Sequence, residues 1–348
     1  MLKLHSIDKN NKIIYIQSGS NHIKGYRLGV CILIKGEVIM ITTITFNPSI
    51  DRMYRVNSIN IGEVQRVVST NAAAGGKGLN VTKVCKILGE NPLAMGFIGG
   101  FNGAFIKDEL RKLDIKNKFT EIKQETRNCL NIIEDNKVST EFLEKGPIIE
   151  KNDLEKFEND IKEVIKDTKI LIASGSYCQN MPLDYYEKIG HICRENNIKF
   201  ILDTSGEPLK IALKSKPYLI KPNTDEIKQI LRTNVESRDE VISAGKKLLE
   251  MGAQNVCISL GKDGMIYLNE YGVYEAKVPK IEAVNTVGSG DSTIAGFSVG
   301  ILRGYEVEDL LKLSNACGIS NALNIETGFV TLEEVKKYQV LVKVTKLS

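Results

Sequence analysis

Asn285-Thr286-Val287-Gly288-Ser289-Gly290-Asp291 stands between a charged, β-like segment and the apolar, small-residue run 292–301, which reads as a buried helix. Two glycines just ahead of a helix leave its first backbone N–H groups bare, and bare N–H groups at the positive end of a helix bind anions. An aspartate at the mouth of such a nest repels phosphate, so it is unsuited to be a phosphate ligand. It is better placed to take a proton from a hydroxyl that then attacks phosphorus. Taken alone, the stretch is equally a turn in which Asp291 caps the helix. The rest of the chain decides between the two.

The other chemistry-bearing residues also sit where a strand runs into a turn. Residues 40–46 (MITTITF) form a β-branched strand of the kind buried in a parallel sheet. It runs into Asn47-Pro48-Ser49-Ile50-Asp51, which places a carboxylate past the strand's carboxyl end, the edge where ligands of open α/β sheets collect. The stretch Ala72-Ala73-Ala74-Gly75-Gly76-Lys77-Gly78-Leu79-Asn80 is a glycine-rich turn into a helix over 81–88. A nucleoside-triphosphatase loop is excluded, because Lys77 is followed by Gly and the glycine spacing is wrong. What remains is a close backbone approach to a ligand, with Lys77 and Asn80 aimed at it.

Arg127, Ser174-Gly175-Ser176, Asn223 to Glu226, and Ser259 to Gly261 occupy equivalent positions, so all should converge on one edge of the sheet. Strands at 92–98, 170–173, 199–202, 217–220 and 255–259 alternate with helices at 103–113, 153–166, 183–195 and 238–251. Helices at 307–323 and 331–338 close the chain. This alternation predicts an α/β fold, a mostly parallel sheet with helices on both faces. Short segments at 53–56, 64–69, 129–134 and 138–143 predict a small separate sheet, spanning about 53–69 and 127–143. Two anion-friendly loops, a base, an acidic pair for magnesium and no metal-ligand histidines point to phosphoryl transfer.

Composition narrows the function classes. With 348 residues, 26% charged and 42% hydrophobic, the chain has ample length for a buried core, and no stretch has the length of a membrane span. Seven scattered cysteines, never in CxxC spacing, and three histidines argue against zinc and for a reduced, cytoplasmic protein. The net charge of +4 lies in residues 1–39, which hold six basic and two acidic residues. The neutral remainder argues against a nucleic-acid-binding surface.

The residues quoted above carry a resemblance. AGGKGLNVT, with Gly89 and Gly99 at later glycine positions, is similar to the first signature of the ribokinase-like (phosphofructokinase B) carbohydrate kinases, and NTVGSGD with residues 292–297 to the second. The match runs from Met40 to the C-terminus. GEVQR, TRN and KPNTDE resemble the branch acting on hexose phosphates. TRNC, TEFLEKGP, VGSGDSTIAG and NALNIETGFV are nearer to its members acting on tagatose 6-phosphate than to those acting on fructose 1-phosphate. The turn Tyr177-Cys178-Gln179-Asn180-Met181-Pro182 departs from the family's usual Leu-Pro.

The resemblance implies a three-layer α/β/α sandwich with a β-sheet lid that excludes water from the sugar. It implies Asp291 as catalytic base and Gly288, Ser289 and Gly290 as the anion hole. Asp51, Gly75, Gly76, Asn80 and Ser176 would hold the sugar, and Lys77 and Arg127 its phosphate. Lys221, Asn223, Ser259, Gly261, Thr286 and Asn315, with Gly288 and Gly290, would face ATP. Asn223 and Glu226 match the family's NxxE magnesium motif, so Mg²⁺ reached through water is expected with ATP as co-substrate, and K⁺ is a further ion to test. A homodimer joined through the lid is expected, with neither nucleic acid nor membrane as partner. The rival class is a sugar-phosphate-binding regulator without catalysis, yet Asp291, Asn223 and Glu226 are all present.

Residues 1–39 show no periodic pattern a core could use and no signal-peptide cleavage site. They are expected to lie outside the working kinase domain, 40–348, with translation starting at Met40. Lys35-Gly36-Glu37 can be encoded by a ribosome-binding sequence at a suitable distance. The competing expectation is a genuine N-terminal strand or hairpin, since residues 12–17 and 30–34 are β-prone.

Overall fold

The computed structural model describes residues 3–7, 13–16, 40–136 and 138–348. The chain divides into two units, residues 1–38 and 39–348. In the first, strands β1 (Lys3–Ile7) and β2 (Ile13–Ile16) pair antiparallel. The β-prone stretch at 12–17 therefore holds a strand, and the one at 30–34 lies outside the described residues.

The second unit alternates strand and helix almost throughout. It begins with β3 (Ile41–Thr45), β4 (Ser49–Val56), β5 (Ser69–Gly75), α1 (Lys77–Ile87), β6 (Leu93–Ile98), α2 (Gly100–Lys112) and β7 (Lys116–Glu121). Next come β8 (Arg127–Glu134), β9 (Ser139–Leu143), α3 (Lys151–Val164), β10 (Ile170–Ser174), α4 (Tyr185–Glu195), β11 (Lys199–Asp203) and α5 (Gly206–Ala212). Then follow β12 (Leu219–Ile220), α6 (Thr224–Leu231), α7 (Arg238–Glu250), β13 (Asn255–Ser259), β14 (Met265–Asn269) and β15 (Gly272–Lys277). The chain closes with α8 (Ser289–Leu302), α9 (Val307–Leu323), α10 (Leu332–Leu341) and β16 (Lys343–Lys346).

Ten strands form one sheet in the order β16-β15-β14-β13-β12-β11-β10-β3-β6-β7. From β13 to β7 every pairing is parallel, and the β14–β16 edge is antiparallel. Each residue of β3 and β10 is buried, as the unbroken apolar and β-branched runs require of strands covered on both faces. One face packs on α3 to α7 through Phe157, Tyr186, Ile227 and Leu248. The other packs on α1 and α8 to α10 through Val84, Phe297, Leu311 and Val335. Helix α8 is apolar or small all round and buried from Asp291 to Ile301, so it has no solvent face to pattern. The three layers expected from the sequence are present.

The small separate sheet is also present, with different boundaries. Its order is β5-β4-β8-β9, with β4 and β8 parallel and both outer pairs antiparallel. Residues 57–68, expected to be partly strand, form an exposed loop, and the second strand is instead Ser69–Gly75. Ala72 to Gly75 was read as a turn because small residues favour no strand. Pairing with β4 across Ala73 and Asp51 imposes the extended conformation. Helix α1 accordingly starts at Lys77 rather than at Val81. Strands β7 and β16 and the short α5 were not expected; their stretches are too short or too charged to carry a period. Six cysteines in the described residues are free, and five of them are buried. No described helix is long and apolar enough to cross a membrane.

Candidate active site

Helix α8 begins after Gly288, whose φ of 82° is left-handed. A Cβ there would also lie 2.7 Å from Thr327 Cγ2, so glycine is required twice over. Asn321 of α9, fully buried, holds the loop in shape. Its Nδ2 donates to Val287 O at 2.8 Å, and its Oδ1 accepts from Gly328 N at 2.9 Å and Ser292 Oγ at 3.1 Å. The turn is thereby held in place, with Gly288 and Gly290 lining a cavity. Asp291 sits in that turn, 5% exposed, and its Oδ2 accepts from Asn80 Nδ2 at 2.9 Å. Burial, then the charge of Asp203, raises its pKa to about 6, against the opposing pull of Asn80, Lys77 and Lys221. A carboxylate poised near neutrality suits proton abstraction from a hydroxyl.

Lysines surround this carboxylate. Lys221, after β12, pairs with Asp203 at 3.4 Å, and its Nζ lies 3.1 Å from where a Cβ on Gly290 would be. Lys77 is the first residue of α1, and the charge of Asp203 foremost holds its pKa up despite burial. Both ammonium groups therefore stay charged. Gly78 lets α1 approach β3: a Cβ would lie 2.3 Å from Thr45 Oγ1.

A second wall is built from the small sheet. Asp51 on β4 accepts from Ser49 Oγ at 2.6 Å. Burial raises its pKa, which the Ser49 bond and the charges of Lys83 and Arg127 oppose. Gly75 opposite has no room for a side chain, since a Cβ would lie 2.0 Å from the Asp51 carboxyl carbon. Arg127 on β8 donates to the carbonyls of Asn47 at 3.1 Å and Glu144 at 3.0 Å. Its Nε is buried without a partner, as is Asn80 Oδ1. Unpaired buried polar atoms are costly, and their presence beside a cavity marks places for a ligand.

These groups open into one cavity of about 1090 Å³. It brings together Asp51, Gly76, Lys77, Asn80 and Arg127 on one side. Across from them are Lys221, Asn223, Glu226, Ser259, Gly288, Gly290 and Asp291. The remaining expected residues do not line it. Gly75 backs Asp51, Ser289 and Thr286 shape the nest through the Ser289 N–H to Thr286 O contact at 3.2 Å, and Gly261 opens a short exposed turn. Ser176 Oγ accepts a long 3.5 Å contact from Asn47 Nδ2, and Asn315 Nδ2 is spent on Leu311 O at 2.8 Å within α9. The divergent turn after Ser176 serves packing: Cys178 Sγ donates to Phe46 O, and Tyr177 stacks on Tyr186.

Asn223 and Glu226 form a reciprocal cap on α6. Asn223 Oδ1 accepts from Glu226 N at 2.8 Å and Glu226 Oε2 from Asn223 N at 2.9 Å. The described residues contain no cluster of three His, Cys, Asp or Glu that could cage a metal. Glu226, which lines the cavity with one carboxylate oxygen outside the cap, fits Mg²⁺, which keeps several waters and takes its remaining oxygens from phosphates. Two residues of the site lie outside every quoted stretch, Asp203 and Lys83, and two lie inside one without an expected role, Ser49 within 47–51 and Asn321 at the start of NALNIETGFV. Asp203 could have been found, because it ends a buried strand on the same edge as Asp51.

Residues 44–332 match the sequence profile of the pfkB family carbohydrate kinases. A protein of Staphylococcus epidermidis named tagatose-6-phosphate kinase is 39% identical over 298 residues, 85% of this chain and 96% of that one. A solved structure from Staphylococcus aureus, provisionally designated a phosphofructokinase, has 36% identity and a TM-score of 0.79, covering 89% of this chain and 99% of its own. Phosphofructokinase-2 from Escherichia coli in complex with potassium superposes with a TM-score of 0.82 over 87% of this chain and 98% of its own; at 24% identity this is a likeness of fold.

Proposed function

Because the chain belongs to the pfkB family of carbohydrate kinases, which use ATP, we propose that it phosphorylates a hexose monophosphate, converting tagatose 6-phosphate to tagatose 1,6-bisphosphate. The observation that carries the reading is the buried Asp291–Asn80 pair at the mouth of the Gly288–Gly290 nest, with Lys77 and Lys221 beside it. Asp291 takes the proton of the attacking hydroxyl, and the N–H groups of the nest stabilise the transferred phosphoryl group. Asp51 and Asn80 Oδ1 hold sugar hydroxyls. Lys77 and the free Nε of Arg127 meet the phosphate the sugar already carries. Lys221, Asn223 and Ser259 form the nucleotide side. Mg²⁺, when bound with ATP and approached through water by Asn223 and Glu226, would neutralise phosphate charge.

A coupled assay with tagatose 6-phosphate, fructose 1-phosphate and fructose 6-phosphate side by side tests the substrate. The fructose arms are needed because of the phosphofructokinase designation of the 36% identical structure. Highest kcat/KM on either fructose phosphate overturns the tagatose assignment but not the kinase, and exchange of K⁺ for Na⁺ in the same assay decides the monovalent ion. The enzyme is assigned to the cytoplasm.

Two further expectations follow for the chain. The lid exposes Val138, Phe142 and Leu143, and the adjoining loop Ile61 (99% exposed) and Val64. The sheet's outer strands have open edges, and a surface of this kind is normally covered. A homodimer through the lid is expected, and a monomer in sedimentation at micromolar concentration would contradict it. Deleting residues 1–39 should leave activity and melting temperature unchanged, since the kinase elements start at β3 and residues 1–38 form a unit apart. A fall in Tm of more than the ~1–2 °C that corresponds to about 1 kcal/mol at this size would make the segment structural.

A further inference from the structure

Lys83 takes no part in the chemistry described, yet its side chain reaches into the floor of the site. It lies on α1 beyond Lys77 and Asn80, and its Nζ donates to Ala74 O at 3.2 Å and Thr327 O at 3.1 Å. Burial lowers its pKa, while Asp51, Asp291, Glu326 and Glu109 act in the opposite sense from longer range. Its ammonium is thus held by carbonyls rather than by a carboxylate in contact, a costly arrangement to retain without a use.

The two carbonyls belong to the two halves of the site. Ala74 is the last residue before Gly75, which backs the Asp51 carboxyl. Thr327 touches Gly288 and precedes Gly328, which packs on Asn80 and donates to Asn321. These segments are far apart in sequence, and β5 belongs to the lid sheet rather than to the main one.

We infer that Lys83 is a positioning residue: its ammonium ties the inner end of the lid strand β5 to the loop behind the glycine nest, and so sets the distance from the sugar's attacking hydroxyl to the phosphoryl group. Transfer requires reacting atoms within a fraction of an ångström of their working separation, whereas binding of ATP at the far side does not. The inference rests on the kinase reading above, and its test has a part that does not.

Lys83→Met keeps the side chain's length and removes the charge; Lys83→Arg keeps a donor. In the Met variant kcat should fall ten- to a hundredfold with the KM for ATP within about twofold, because only the transfer geometry is lost. ATP hydrolysis without sugar should rise relative to transfer, and the Arg variant should recover much of kcat. Hydrogen exchange at the Gly75–Gly76 and Gly328 amides should quicken in the Met variant, and this reports the tie whichever sugar is turned over. Unchanged exchange at those amides, or a Met variant with kcat within twofold of wild type, would overturn the inference. So would equal losses in the Met and Arg variants. Absence of turnover on every hexose phosphate with exchange quickened as described would instead overturn the kinase reading. Should the Met variant not fold, Lys83→Gln, which removes the charge and shortens the reach, takes its place with the same expected losses and the same overturning results.

Discussion

Asp291→Asn is expected to lower kcat by ~10²–10⁴, the contribution of a positioned general base, while sugar and ATP still bind. The amide keeps the acceptor that Asn80 Nδ2 uses and fills the same space, so the nest is not disturbed. The wild-type pH profile should agree: with the carboxyl raised to about 6, kcat/KM should fall as the pH drops through that value. Stability should move the other way. The group's pKa is raised from 3.8, so its burial costs nothing below the unfolded value and its full amount above about 6. That amount is on the order of 3 kcal/mol, and the Asn variant should therefore melt above wild type at pH 8. A variant retaining more than about a tenth of kcat would remove Asp291 from the proton transfer. A lower Tm would mark it as a structural anchor.

The second large effect is expected at the cations of the sugar side. A charge-assisted contact to phosphate contributes ~1.5–3 kcal/mol, so Lys77→Ala should lower kcat/KM for the sugar phosphate by roughly ten- to a hundredfold and leave the KM for ATP almost unchanged. Arg127→Ala should do the same, with an added loss of stability, because its guanidinium also joins the lid to the Asn47 and Glu144 carbonyls. Lys77 is the cleaner probe. Steady-state kinetics with each substrate varied in turn distinguishes the outcomes: a rise in the KM for ATP with sugar affinity intact would assign these cations to the nucleotide.

The parts of this molecule that were legible in advance are those where local chemistry and the fold demand the same residue. Gly288 is needed both for a left-handed turn and for close packing, and Asn223 and Glu226 cap α6 by their own side chains, so each leaves a mark in the sequence. The parallel sheet was legible because strands buried on both faces, such as β3 and β10, are runs of apolar, small and β-branched residues without a charged one. Residues whose role comes from a distant partner left no mark. Lys83 looks like one more solvated lysine on a helix until Thr327 is beside it, and Asn321, although it opens the quoted NALNIETGFV, shows its role only once Val287 is beside it. The strand Ser69–Gly75 was hidden for the same reason: nothing in STNAAAG favours extension, and its conformation comes from β4. Neither Ser176 nor Asn315 reaches the cavity, so motif position alone overstated their proximity to it.

The parallel pairing of β4 with β8 also orders events in time. Newly made β4 can form a hairpin with β5, but its other edge stays open until α1, β6, α2 and β7 have all been synthesised and β8 follows. Pairing between segments this distant along the chain is slow to form, because the intervening chain must first be closed into a loop. The small sheet joins the body through Ile50 and Ala74, which share a core with Ala94, Ile98 and Ile106, whereas β8 is only half-buried and β9 mostly exposed. The wall of the proposed sugar site is thus firm where it meets the body and least supported at its outer strand β9.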